Sequence, residues 1–116
     1  TDEKTEQLKK WHMECFDETK VPLELVLKVT KGNWMIQNNS LKRWVLCLLK
    51  KYDLMSDDGV FKLDTALSLV PPRDRGMIED FIDDCLPKKA SAPYEIAWNY
   101  TKCYHMKLKD RKHKDK

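Results

Sequence analysis

The residues of this 116-residue chain with the means to do chemistry are four cysteines, three histidines and a few acidic pairs. Cys15, Cys47, Cys85 and Cys103 are separated by 31, 37 and 17 residues. No two form a CxxC pair, the spacing that zinc sites usually employ, and His12 and His105 near Cys15 and Cys103 do not replace it. No metal or cofactor is expected. An even set of cysteines in a short chain fits two disulfides, with three connectivities open. Two bridges point to an oxidising compartment, free thiols to a cytosolic one, and the first reading is preferred. A bridge closing a loop of moderate length contributes about 3 kcal/mol.

Catalytic constellations are missing. Gly32, Gly59 and Gly76 are isolated, so no phosphate-cradling loop exists, and no serine sits in a nucleophile elbow. Asp83-Asp84 falls on the polar face of an expected helix, where solvation explains it. The Asp57-Asp58-Gly59 stretch suggests a calcium loop until the spacing is tested. Gly59 at loop position six puts Leu54 first and Thr65 last, and neither supplies the carboxylate required there. The stretch reads as a turn. Asn38 and Asn99 match the short glycosylation pattern, which has many false positives. An enzyme is not expected.

These residues must be held by helices. Charged residues make up 35% of the chain and hydrophobic ones 41%, glycine is scarce, and alternating β-branched runs are absent, which favours an all-α fold in one domain. The spacing predicts helices over about Asp2–Phe16, Pro22–Thr30, Asn39–Tyr52, Leu63–Val70, Asp74–Cys85 and Ser91 or Ala92 onward. The third is the hub. Leu41, Trp44, Val45, Leu48, Leu49 and Tyr52 repeat at helical spacing, and Leu46 and Cys47 widen the apolar arc until it needs neighbours on several sides. Trp34-Met35-Ile36 is a clump expected to fold back over the core as a lid or plug. In the sixth helix Trp98 falls off the inward face and is expected under the tail or partly exposed.

The segment from His105 to Lys116 carries six basic and two acidic residues, a charge of +4, against −1 for the rest of the chain and +3 in total. It has almost no apolar content, so residues 107–116 read as a basic, solvated tail beyond a single domain of residues 1–106. A nucleic-acid-binding face is not implied. No run is long enough to span a membrane, and the opening TDEKTEQ reads as that of a processed protein.

Aromatic and sulfur-bearing inward positions exceed what tight packing needs. Trp11, Trp44, Tyr52, Phe61, Phe81, Tyr100 and Tyr104 are joined by Met55 and Met77. Such a set either fills a core or walls a cavity that accepts varied apolar ligands, with tyrosine hydroxyls to orient them.

Together the cysteines and the six helical segments resemble the insect pheromone- and general-odorant-binding proteins. That family has six cysteines, bridged first to third, second to fifth and fourth to sixth. With Cys47 as the third and Cys103 as the sixth, the second and fifth positions hold Arg43 and Tyr94. Both ends of one bridge are missing together, as in the four-cysteine "C-minus" subgroup. The stretches CLLKKY, from Cys47, and GVFKLD, Gly59 to Asp64, look like the family's passage between its third and fourth helices. The resemblance covers about Glu6 to Met106.

It implies the compact six-helix odorant-binding-protein fold, disulfides Cys15–Cys47 and Cys85–Cys103, secretion, and an internal hydrophobic cavity for odorants, pheromones, fatty acids or similar molecules. Positions carried over relative to the cysteines make Leu8, Val45, Leu49, Leu54, Ile82 and Tyr104 ligand-binding. Periodicity adds Trp11, Leu48, Tyr52, Leu67, Ile78, Phe81 and Tyr100. Position 49 is often polar in the family's pheromone binders, and Leu49 cannot hydrogen-bond a head group. The absent bridge predicts a compliant seam between the third and sixth helices, with ligand access there. The expected partners are a small hydrophobic ligand and, through the basic tail, a membrane receptor or anionic surface, the protein itself being a monomer or weak dimer. The alternative is a non-olfactory secreted scaffold or interaction protein (haemolymph, seminal or salivary) with a filled core.

Overall fold

The computed structural model describes residues 2–114, except for the side chains of 111–114. Six helices follow one another: α1 (Glu3–Thr19), α2 (Leu23–Thr30), α3 (Asn39–Lys51), α4 (Leu63–Ser68), α5 (Arg75–Cys85) and α6 (Pro93–Lys114). A short 3₁₀ turn, Pro72–Asp74, leads into α5. Their starts follow the local chemistry. The Asp2 carboxylate accepts from the Lys4 N–H at 3.0 Å, and the Asn38 side chain accepts from the Leu41 N–H at 2.9 Å, each satisfying a donor that a helix start leaves free. The cap engages Oδ1 of Asn38, the asparagine of the first glycosylation pattern.

α3 is the hub. It buries Leu41, Lys42, Trp44, Val45, Cys47, Leu48 and Leu49. α1 and α6 pack against it, α5 packs on α6, and α4 packs on α5. One core group gathers around α3 and extends to Val21, Val29, Trp34, Met55, Ala97 and Trp98. A second joins Ala66, Ile78, Ile82, Cys85 and Tyr100 beneath α4 and α5. Disulfides Cys15–Cys47 and Cys85–Cys103 tie α1 to α3 and α5 to α6.

The turn after α3 depends on Gly59. Its φ is +87°, and a Cβ there would meet Pro93 Cα and Ile96 Cδ1 at 3.1 Å. Only glycine combines this backbone conformation with so close an approach of α6. This is the stretch that resembled a calcium loop, and it serves as a seat for the start of α6.

Trp98 corrects the one-sided reading of α6. It is 1% exposed and packs on Trp34, with ring centroids 5.3 Å apart. α6 is buried on two sides, because the connection between α2 and α3 crosses the face that its periodicity leaves polar. The Trp34 clump does fold back over the core, although Met35 within it stays exposed.

The helix also continues past position 106, after which the sequence places the tail. Lys107 reaches Asp84 Oδ2 at 3.0 Å and lies 5.9 Å from the Phe81 ring centre, so it belongs to the α5–α6 contact. The side chains of Arg111, Lys112, Lys114 and Lys116, on which the anionic-surface expectation mainly rests, lie outside the described residues.

Candidate functional site

The core is not filled. A cavity of about 480 Å³, partly open to solvent, lies between α3 and α6 and is bordered by α4, α5 and the end of α2. Of its nineteen lining residues, nine are aliphatic: Val29, Val45, Leu48, Leu49, Leu54, Ala66, Leu69, Val70 and Ile78. Six are aromatic: Trp34, Trp44, Tyr52, Phe61, Tyr100 and Tyr104. Thr30, Gly32, Thr101 and His105 complete the wall. No aspartate, glutamate, lysine or arginine contributes. Thr30, Gly32, Leu69 and His105 are the exposed members and mark the rim.

Eight of the residues expected to bind ligand stand in this wall: Val45, Leu48, Leu49, Tyr52, Leu54, Ile78, Tyr100 and Tyr104. Five do not. Leu8 is 42% exposed, because the first turns of α1 project beyond α3. Trp11 sits behind the wall and meets the Tyr52 ring edge-on at 5.4 Å. Phe81 does the same for Tyr104 at 5.9 Å. Leu67 and Ile82 pack inside the α4–α5–α6 core group. Among those five, the aromatic pair brace cavity rings from outside.

The end of α2 and the end of α4 supply wall that sequence reasoning did not assign. Val29, Ala66 and Val70 read as inward, yet spacing cannot tell a residue facing a neighbour from one facing a void. Trp34 had a signal in its clump, and Trp44 in the hub repeat. Leu69, 66% exposed at the rim, had none.

The three tyrosines set the wall's chemistry. Burial pushes the phenol pKa of Tyr52, Tyr100 and Tyr104 upward, most strongly for Tyr100, where the neighbouring Tyr104 adds to it. They stay neutral at physiological pH. The wall therefore offers ring faces, methyl groups and neutral hydrogen-bonding groups, and no fixed charge.

The seam opposite Arg43 is better closed than the missing bridge suggests. The Arg43 guanidinium lies 5.4 Å from the Tyr94 ring centre, a cation–π contact between the positions expected for the absent cysteines. One residue away, buried Lys42 donates to Glu95 Oε1 at 2.6 Å. Arg43 and Tyr94 line a separate, polar cleft of about 410 Å³ that shares no residue with the apolar cavity. The rim of that cavity lies elsewhere, beside Trp34 and His105.

There the His105 ring stacks on Trp34, with centroids 4.6 Å apart and planes 18° apart. Loss of solvent on the covered side lowers the His105 pKa below its ordinary 6.5. The unfolded chain therefore binds the proton first, so stability is complete above pH 6.5 and falls as pH drops through the folded-state value. Denaturant midpoints measured between pH 7.5 and 5 should decline in the wild type and flatten in His105→Phe. Equal slopes would show that the stack is not the titrating element.

Residues 1–107 match the PBP/GOBP family. The chain belongs to that family. General odorant-binding protein 69a of Drosophila melanogaster is 20% identical over 98 residues, which cover 84% of this chain and 66% of that protein. The crystal structure of the medfly odorant-binding protein CcapOBP22/CcapOBP69a superposes with a TM-score of 0.70 at 29% identity, over 84% of each chain. The fatty-acid-binding protein OBP56a from the oral disk of the blowfly Phormia regina gives 0.75 at 22% identity, over 96% of each, and shows the shared fold. Within the PBP/GOBP family the two bridges, with Arg43 and Tyr94 in contact where a third would stand, fit the four-cysteine C-minus pattern.

Proposed function

We propose that this PBP/GOBP-family chain is a secreted carrier that takes small hydrophobic molecules into the cavity between α3 and α6. The observation that carries the reading is the uncharged wall around about 480 Å³. A volume in this range suits a ligand of drug-like size. Burying about 300 Å² of apolar ligand surface at roughly 25 cal/mol per Å² supplies about 7 kcal/mol, which corresponds to micromolar binding. Family membership and the fatty-acid-binding relative agree with this reading. The two disulfides support an extracellular setting. Among the described residues no helix is long and apolar enough to cross a membrane. The cavity weighs against the filled-core alternative, while a carrier outside olfaction uses the same physics and differs only in where it is made.

The test is saturable binding of N-phenylnaphthylamine, a fluorophore that brightens in apolar surroundings, and its displacement by unlabelled ligands. Ala66 lines the wall and is nearly buried. Ala66→Trp should occupy part of the void and weaken probe binding at least tenfold while leaving the helical circular dichroism intact. Unaltered binding in a folded Ala66→Trp protein would place the ligand elsewhere, and no saturable binding to the wild type would sink the carrier reading.

A further inference from the structure

No covalent bond joins the two helices on either side of the cavity. Cys47 ties α3 outward to α1, and Cys103 ties α6 outward to α5. The spacing between α3 and α6 is left to side chains. One of their contacts, near the start of both helices, stands apart from the rest. Lys42 is the one charged residue that is buried among those described, and its Nζ lies 2.6 Å from Glu95 Oε1. Lysine is almost never buried without a partner, because taking its ammonium out of water is costly. The Glu95 side chain, by contrast, is 33% exposed. The two halves of the pair are therefore unequal. Glu95 can rely on water, whereas Lys42 depends on Glu95. Partial exposure also spares the carboxylate much of the desolvation cost that makes fully buried pairs weak, and the charge-assisted bond is retained.

We propose that the Lys42–Glu95 pair locks the seam between α3 and α6, and that ligand exchanges through the rim beside Trp34 and His105. This rests on the carrier reading and assigns its path. Beside the pair, Arg43 covers the Tyr94 ring and adds a second contact between the same helices. The polar cleft at the seam shares no lining residue with the cavity, so it is not a channel inward. The rim differs in each respect. Thr30, Gly32, Leu69 and His105 line the cavity and are also exposed. A Cβ added at Gly32 would meet nothing within 4 Å, so the way past it is open.

The experiment follows dissociation of N-phenylnaphthylamine by stopped-flow fluorescence. Glu95→Met leaves the ammonium buried without a partner, a state relieved when the helices part and water enters. It should speed dissociation about fivefold to tenfold. Lys42→Met leaves the carboxylate in contact with water and fills the seam with an apolar chain, so the rate should stay within about twofold of the wild type. The double variant Lys42→Met/Glu95→Met should behave like Lys42→Met. A merely structural role would lower the melting temperature of Glu95→Met and leave its dissociation rate alone. A disulfide introduced by Arg43→Cys/Tyr94→Cys, its formation confirmed by mass, should leave the wild-type rate unchanged and return Glu95→Met to that rate. Slower exchange in the bridged wild type would make the seam the route, and equal rates in the wild type and a folded Glu95→Met would mean that the pair locks nothing. Either result would overturn the proposal while leaving the carrier intact. If the new bridge does not form, the methionine variants decide; if Glu95→Met does not fold, the bridged wild type decides. A wild type with no saturable probe binding would overturn both readings.

Discussion

Replacing Cys15 and Cys47 with alanine should cost about 4 kcal/mol, from the entropy of the 32-residue loop that the bridge closes in the unfolded chain. The same change at Cys85 and Cys103, 18 positions apart, should cost about 3 kcal/mol. The first loss should also be localised. Cys15 is the only buried residue of α1, which also meets the hub through half-buried Trp11 and Phe16, the His12 ring edge-on to Trp44 at 6.1 Å and an ion pair from Lys51 to Glu14 at 2.7 Å. That pair sits at the surface, where such contacts contribute little. Without the bridge, amides of α1 should exchange far faster than those of α3. Urea midpoints with hydrogen exchange by mass spectrometry would show it. A uniform rise in exchange across both helices would mean that α1 is held by packing after all.

Trp98→Ala should destabilise the fold by about 3–5 kcal/mol, the usual range for removing a large aromatic side chain from a packed interior. The ring is 1% exposed and supports Trp34, which in turn stacks on His105 at the cavity rim. The effect should therefore reach function. Probe affinity should fall along with thermal stability, because the rim loses its backing. Trp98→Phe, which keeps a ring, should recover most of both. A Trp98→Ala protein of wild-type stability would contradict the two-sided burial of α6.

Trp98 also shows where sequence reading stops. A single helical stripe was legible in Tyr94, Ile96, Ala97, Tyr100, Cys103 and Tyr104, and it turns α6 toward the core through Ala97 and Tyr100. The second buried face exists only because a distant connection folds across it, and periodicity within one helix carries no trace of that. The hub was legible for the opposite reason, since the breadth of its apolar arc is written in Leu41 to Tyr52 itself. Cysteine spacing alone left three pairings open, and the family resemblance selected the one found. For the cavity, spacing identified the α3 and α6 walls. It could not separate Val45, which faces space, from Ile82, which faces other side chains. A void is a property of several surfaces that fail to touch, and no one of them encodes it. The Arg43–Tyr94 contact was hidden likewise: the substitutions were visible as absent cysteines, while the attraction between their replacements required the helices to be in place.

On the carrier reading, ligand enters the space between α3 and α6. Methyl-resolved NMR of leucine-, valine- and isoleucine-labelled protein, titrated with methyl dodecanoate, tests it most directly. Saturable shifts are predicted at Val29, Val45, Leu48, Leu49, Leu54 and Ile78, which line the cavity. The exposed methyls of Leu8, Leu23, Leu27 and Val60 should stay still. Shifts confined to those surface positions, with the cavity methyls unmoved, would contradict the account.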